Sequence, residues 1–365
     1  MGKFYTALGL MSGTSMDGVD ASIIQSDGRS KYKVILDKYF EYPKNIYNNL
    51  TNLREKIISL KDLKKSQKSI KSVEKEITIF HADSINKILK NNSVNIDLVG
   101  FHGQTVFHNA DEKISRQLGD GKLLSKLTKK TVVYDFRQYD LKKGGQGAPL
   151  VPIYHNLIAR KLQFTLPVIF VNIGGIANAT YLNSFNINKI KAKDICPGNC
   201  LIDQWIRKYS KKKIDIDGKI AKSGKINKKK LLNGLDKYPN ISKLSLDIND
   251  FDLSFAEGLS LKDGAATLTE FTAQLLSNLL GSFRKNPRLI FTGGGRKNKF
   301  LIKRIKEKIH CPIELIDHYG INGDFIESQA FAYLAIRSYL KLPISFPKTT
   351  GCKKPCTGGV LVKNF

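Results

Sequence analysis

The 365 residues exceed what one ordinary hydrophobic core organises, so two domains are expected. A hydrophobic fraction of 41% excludes a disordered chain, and no apolar run approaches the roughly 20 residues that a membrane helix requires. The formal charge of +28 invites a nucleic-acid reading, but the lysines scatter over expected solvent faces and no aromatic residues interleave with them, so neither nucleic acid nor membrane is expected as a partner. The same positive field favours phosphorylated ligands and makes their binding salt-sensitive.

In chain order, Lys3 alone precedes a short apolar patch from Phe4 to Met11, which makes a poor signal peptide. Met1-Gly2-Lys3-Phe4-Tyr5-Thr6 fits the loose myristoylation pattern, but the segment reads better as a first strand from Phe4 to Gly9. A cytoplasmic protein is expected. A hairpin region follows through Ala21 to Ile24 and Tyr32 to Ile35. From Ile46 to Leu89 apolar residues recur at helical spacing, with Lys and Glu between, which predicts two or three amphipathic helices. Leu98 to Phe101 and Thr131 to Asp135 read as short buried strands. Val151 to Leu162 reads as a helix that carries the chain into a second domain.

The opening pattern then returns. Pro167 to Asn172 is a strand met by the turn Gly174-Gly175, and β-branched and apolar residues continue from Ile176 to Leu182. Helices are expected at Gly264 to Ser282 and Glu327 to Leu340, with a strand from Arg288 to Phe291 between them. Alternating strands and helices place the chain in the α/β class. Each half starts with a strand and a glycine-rich turn, as a duplicated α/β unit with a cleft between copies would. The expected domains are 1–145 and 146–365.

The five cysteines are Cys196, Cys200, Cys311, Cys352 and Cys356. Free thiols in a reducing compartment are the simpler reading. A four-ligand zinc site from the two close pairs is the weaker one, because the usual turn chemistry is missing.

Three strand-to-turn transitions are rich in glycine: Gly9 to Gly18, Gly174-Gly175 and Gly293 to Gly295. Glycine lets the backbone approach a phosphate with its N–H groups as donors. None matches the G-x-x-x-x-G-K-[ST] phosphate loop or a clean G-x-G-x-x-G turn, and any one alone is ordinarily just a tight turn. Three in a duplicated chain fit a nucleotide clamped by two domains.

Gly9-Leu10-Met11-Ser12-Gly13-Thr14-Ser15-Met16-Asp17-Gly18-Val19-Asp20 resembles the N-terminal motif of the anhydro-N-acetylmuramic acid kinase family. The resemblance continues through His102-Gly103-Gln104-Thr105-Val106, Gln117 to Gly121, Asp135-Phe136-Arg137 and Gly144 to Leu150. It returns at Asn172 to Asn178, Pro197-Gly198-Asn199 with Asp203 and Trp205, Gly264 to Leu268, Gly293-Gly294-Gly295 with Asn298, and Glu327 with Ala330-Phe331-Ala332. It covers about residues 4 to 340, with the blocks in the family's order.

The resemblance implies two similar actin-like (ribonuclease-H-like) domains hinged around a central nucleotide and sugar cleft. It implies a kinase that uses ATP and Mg²⁺ to open 1,6-anhydro-N-acetylmuramic acid with water and phosphorylate its 6-oxygen. The product is N-acetylmuramic acid 6-phosphate, in cell-wall sugar recycling. A homodimer is one assembly it allows. Asp194 is the implied general base, although an Asp just ahead of Pro-Gly is on spacing alone a turn residue. Glu327 is implied to face the sugar and help place water, and it equally suits a helix N-terminus by its charge.

The implied nucleotide contacts are Gly13, Thr14, Ser15, Met16, Asp17, Gly18, Val19, Asp20, Asn172, Gly174, Gly175, Gly293, Gly294, Gly295 and Asn298. Asp17 or Asp20 would reach Mg²⁺ through water, with no dedicated metal cage. His102, Gln104, Thr105 and Arg137 are the implied sugar contacts, Arg137 suiting the lactyl carboxylate through its guanidinium fork.

The chain departs from the family pattern in places. Asp194-Ile195-Cys196 stands where the family has Asp-Thr-Gly, so a hydroxyl and a glycine are replaced. Near Ser242 to Phe251, Leu244 and Ile248 fall where Lys and Arg are usual. Lys353 to Cys356 lies where apolar residues are usual. Competing readings are a kinase of another amino sugar and an ATP-driven clamp without catalysis. Asp194, Glu327 and Arg137 argue against the clamp, which needs none of them.

Overall fold

The computed structural model describes residues 2–238, 245–281 and 287–365. The chain divides into two units: Met1–Gln163 with Phe325–Phe365, and Phe164–Asp324.

The first unit opens with β1 (Tyr5–Ser12), β2 (Gly18–Ser26) and β3 (Tyr32–Glu41). Three helices follow: α1 (Lys44–Lys56), α2 (Leu60–Lys65) and α3 (Gln67–Asn91). Then come β4 (Leu98–Asn109), β5 (Ile114–Leu118), α4 (Gly121–Thr128), β6 (Thr131–Tyr134), α5 (Gln138–Lys142) and α6 (Pro152–Lys161).

The second unit begins with β7 (Val168–Ile173), β8 (Ile176–Leu182) and β9 (Lys191–Pro197). It continues through α7 (Cys200–Tyr209), α8 (Lys219–Lys222), α9 (Lys228–Lys237) and α10 (Leu261–Leu280). It ends with β10 (Arg288–Thr292), α11 (Lys299–Lys306) and β11 (Ile313–Leu315). The chain returns to the first unit as α12 (Ile326–Tyr339), α13 (Pro347–Thr350) and β12 (Val360–Val362).

The two sheets repeat one topology. In the first unit the order is β12-β6-β4-β1-β2-β3, with β5 added to β4; in the second it is β11-β10-β7-β8-β9. In both, the opening strand pairs antiparallel with the second, and the second with the third. In both, the opening strand then pairs parallel with the fourth, and the fourth with the next. The duplication read from the glycine turns is therefore present strand for strand, and it is the arrangement of an actin-like, ribonuclease-H-like unit.

The inward faces of β1 and β4 carry Leu8, Leu10, Val99 and Phe101, which pack with Ile46 and Leu50 of α1 and Ile70, Ile77 and Ile85 of α3. The helical run expected from Ile46 to Leu89 is thus three helices. In the second unit Ile169, Val171 and Phe291 pack with Ala273, Leu276 and Leu280 of α10 and Leu301 and Ile305 of α11. Ser282, the expected end of α10, lies outside the described residues.

Two expectations differ from the structure. β4 runs well past Phe101, because its second half pairs with β5 in a hairpin. The expected division at 145/146 assigned α6 and everything after it to one domain, whereas contacts give α6 and α12 to the first unit. The reason for α12 is steric. A Cβ on Gly9 would lie 2.0 Å from the Ser328 carbonyl oxygen, and one on Gly100 would lie 2.3 Å from that of Phe331. Side-chain-free backbone on β1 and β4 lets α12 lie directly on the sheet. Part of the glycine content near the first turn therefore serves helix packing.

Candidate active site

The turn after β1 is fastened from three sides. Gln104 Nε2 donates to the Gly13 carbonyl at 2.9 Å, the Met16 amide donates to the same carbonyl at 3.2 Å, and the Tyr42 amide donates to the Asp17 carbonyl at 2.8 Å. Met16 has a left-handed backbone (φ 57°) and a side chain sunk into the core beside Val19. Neither side chain can reach a ligand, and the Met16 amide is already engaged by the Gly13 carbonyl. Thr14 and Ser15 are exposed, and the Ser15 hydroxyl donates to Asp17 Oδ1 at 2.5 Å.

Asp17, Glu41 and Asp20 all bear on the Tyr39 phenol. Burial is the first cause of its raised pKa, and the three carboxylates raise it further. This is a locally negative place in a strongly basic chain.

Below the turn runs a relay that sequence patterns did not single out. Ser12 Oγ lies 2.9 Å from the Tyr42 hydroxyl and 3.2 Å from His81 Nε2, and His81 Nδ1 lies 2.6 Å from the Ile77 carbonyl. Burial lowers the His81 pKa to about 4. The neutral ring therefore donates through Nδ1 and accepts from Ser12 through Nε2.

The expected sugar contacts sort into layers. His102 is buried, with Nδ1 2.8 Å from the Gly103 carbonyl. Arg137 reaches His102 Nε2 from Nε at 3.2 Å and from Nη2 at 2.9 Å, and its Nη1 donates to the Gly147 carbonyl at 2.8 Å. Burial, and then the Arg137 charge, hold the His102 pKa well below its ordinary value. With both ring nitrogens engaged, His102 orients Arg137. Gln104 braces the Gly13 turn, and its Oε1 is buried with no hydrogen-bond partner among the described residues. Thr105 Oγ1 accepts from Gln117 Nε2 at 3.1 Å.

Glu327 sits in the first turn of α12. Burial raises its carboxyl pKa, the Arg137 charge opposes that rise, and no hydrogen bond to a described residue holds the carboxylate.

In the second unit, Asp194 lies on β9 and is buried, and its Oδ2 accepts from the Leu246 amide at 2.8 Å. The register passes from Ala177↔Cys196 to Asn178↔Asp194, so Ile195 is the extra residue of a β-bulge. A bulge re-aims the side chain beside it. Ile195 and Cys196 join the hydrophobic cluster under the sheet, so the replacement of a hydroxyl and a glycine is accommodated by core packing. Leu244 lies outside the described residues, and Ile248 packs, partly buried, against a hydrophobic cluster that contains Leu201, Trp205, Phe255 and Phe271.

The Gly174 carbonyl accepts from Asn199 N, and the Gly175 carbonyl from Gly198 N and Cys200 N, at 2.8–3.1 Å. These bonds tie the turn after β7 to the start of α7. Asn172 Oδ1 faces Thr292 Oγ1 at 3.4 Å. Gly293 is left-handed (φ 76°), and a Cβ there would lie 2.3 Å from Asn172 Oδ1, so both conformation and space require glycine. Gly294 has open space around its Cα, whereas Gly295 packs on Ile173. Asn298 caps α11 by accepting from Leu301 N at 2.9 Å.

Arg296 was not singled out by the sequence. It is buried and donates to the Gly293 carbonyl at 2.9 Å, to Asp317 at 2.6 and 2.8 Å, and to Asp324 Oδ1 at 2.6 Å. It pins the turn after β10. Its two acidic partners are more than 20 residues away, so no local spacing could reveal them.

The family model described as anhydro-N-acetylmuramic acid kinase matches residues 5–364. The chain belongs to the anhydro-N-acetylmuramic acid kinase family. It is 54% identical over 375 residues to the protein of that name from Pelagibacter ubique, covering 100% of both chains. It is 37% identical to the one from Brucella canis, covering 98% of each chain. It is 38% identical to the one from Rhodopseudomonas palustris, covering 98% of this chain and 99% of that one. Family membership thus extends past residue 340, where the motif resemblance weakens, into the C-terminal segment that returns to the first unit.

Proposed function

We propose that this chain opens 1,6-anhydro-N-acetylmuramic acid with water and transfers the γ-phosphoryl group of ATP to the freed 6-oxygen. The observation that carries this is end-to-end membership in the anhydro-N-acetylmuramic acid kinase family. Within each unit taken by itself, the surroundings of the candidate residues suit these roles.

In this reading water attacks the anomeric carbon, the bond from that carbon to the bridging 6-oxygen breaks, and that oxygen takes the γ-phosphoryl group as ADP leaves. Asp194 accepts the proton of the attacking water. Arg137, oriented by His102 and Gly147, takes the lactyl carboxylate of the sugar. Glu327, with a raised pKa and no fixed hydrogen bond, places the anhydro ring and the water. Amide groups of the Gly13–Gly18 turn and of Gly174-Gly175 and Gly293-Gly294 receive the phosphates. Asn172 and Asn298 hold those turns in shape.

The hard oxygen donors of Asp17 and Asp20, in their negative surroundings, fit a magnesium ion. Bound there with ATP, it would neutralise charge on the phosphates.

No helix among the described residues is long and apolar enough to cross a membrane. The five free cysteines accord with the cytoplasm, which is also where ATP is plentiful. A homodimer belongs to the same reading, and sedimentation velocity tests it.

The deciding assay couples ADP release to 1,6-anhydro-N-acetylmuramic acid, with the product identified by mass spectrometry and Asp194→Asn run beside wild type. N-Acetylmuramic acid 6-phosphate from wild type, and a collapse of rate in the variant, are expected. ADP release with N-acetylglucosamine but not with the anhydro sugar would overturn the substrate.

A further inference from the structure

Asp140 on α5 and the two cysteines of the C-terminal loop, Cys352 and Cys356, meet inside the first unit. Their ligating atoms all lie within 4.8 Å of one another. Asp140 is 1% exposed, Cys352 1% and Cys356 9%. Asp140 Oδ2 accepts from Gly147 N at 2.7 Å, and Oδ1 accepts from Thr350 Oγ1 at 2.7 Å. Cys356 Sγ lies 3.8 Å from the same Oδ1 and 3.0 Å from Ser345 Oγ.

Two independent features point to a cation. The first is the donor set itself, two sulfurs and a carboxylate converging on one point. Three exposed residues, Lys353, Lys354 and Pro355, separate the cysteines and let both sulfurs turn inward. The second is the charge of Asp140. A buried carboxylate is ordinarily paired with a positive side chain or bound to a metal. Among the described residues no Lys, Arg or His forms an ion pair with Asp140.

We propose that Asp140, Cys352 and Cys356 bind a zinc ion. Sulfur and carboxylate together suit this borderline-soft, tetrahedral ion better than magnesium or calcium, which take oxygen donors alone. On binding, each thiol gives up its proton to solvent and forms a zinc–sulfur bond, while Asp140 binds through a carboxylate oxygen. Two protons are released per ion, and the assembly of zinc, two thiolates and one carboxylate carries one negative charge. The fourth position goes to the Ser345 hydroxyl or to water.

The role of the site is structural. Asp140 holds the Gly147 amide, and the Gly147 carbonyl holds Arg137. A metal here stiffens the segment from α5 to Gly147.

The test uses the full chain, reduced and stripped with a chelator, then titrated with Co²⁺ and afterwards with Zn²⁺. One equivalent of cobalt should give a thiolate-to-metal charge-transfer band in the near ultraviolet and tetrahedral bands in the visible, all bleached by zinc. The bands should vanish in Cys352→Ser and in Cys356→Ser and persist in Cys311→Ser. Asp140→Asn should weaken cobalt binding by at least about tenfold while some charge transfer remains. Zinc should slow amide exchange over 138–147 in wild type, a readout that needs no variant to fold.

A wild-type titration without a stoichiometric charge-transfer band would overturn the site. So would a band that survives both cysteine variants. Loss of two hydrogens in mass under mild peroxide, with no metal uptake beforehand, would assign the pair to disulfide chemistry instead. Unchanged cobalt affinity in Asp140→Asn would remove the carboxylate from the ligand set.

Discussion

His102 Nε2 accepts from the Arg137 guanidinium at 2.9 Å, and the ring is anchored at its other nitrogen by the Gly103 carbonyl. The histidine thus sets the plane of the arginine. His102→Ala should remove the ring acceptor that orients Arg137 and raise KM for the anhydro sugar about tenfold or more, with KM for ATP little changed. Steady-state kinetics with each substrate varied in turn check this split. An equal rise in both KM values would argue for general loosening instead.

Among the described residues Glu327 has no hydrogen-bonded partner for its carboxylate, and its pKa is raised by burial. Folding therefore favours its protonated form. Stability falls as pH rises from the unfolded carboxyl value toward the higher folded one, and the penalty persists above it. Glu327→Gln should remove that penalty. It should make the first unit more resistant to urea at pH 7 while lowering kcat about 100-fold. A variant that loses activity without gaining stability would contradict the assigned environment.

Arg296 has the opposite character: a buried cation satisfied by Asp317, Asp324 and the Gly293 carbonyl. Arg296→Ala should free the turn after β10 and leave two carboxylates facing each other. Both acids are partly exposed, so the stability cost falls at the low end for a broken buried pair, about 3 kcal/mol. KM for ATP should rise while KM for the sugar holds. Urea unfolding and nucleotide titration measure the two effects separately.

Three buried histidines make the first unit acid-sensitive. His81 is lowered to about 4, His155 to about 3, and His102 lies well below the usual 6.5. Each is neutral when folded and takes a proton when unfolded. Stability is therefore full above the unfolded value and is lost as pH falls below about 6.5. For His81 alone the loss between pH 7 and pH 5 is about 2 kcal/mol. Urea midpoints at the two pH values check the direction. His81→Gln, which cannot take up a proton in this range, should flatten the profile.

Much of this molecule was readable from residue order, for physical reasons. Strand hydrophobicity and glycine turns report local geometry, so the duplicated opening of each unit could be read, as could the strand from Ile176 to Leu182. Roles within a motif were harder. Gly9 looks like part of a phosphate turn, but its missing side chain makes room for Ser328, more than 300 residues later. Met16 and Val19 lie inside the same motif and serve the core. The bulge at Ile195 depends on how β8 and β9 pair, and no property of Ile195 itself announces it. Arg296 and Asp140 take their meaning from partners brought near only by the fold.

The path of the chain, out at residue 163 and back at residue 325, has a bearing on how the protein is made. The second unit is one uninterrupted stretch and can fold as soon as it leaves the ribosome. The first unit cannot. Gly9 and Gly100 emerge early, but the helix that covers them is synthesised only after the whole second unit. Until then one face of β1 and β4 lies open to water or to a chaperone. Truncations near the C-terminus should therefore damage the N-terminal half first.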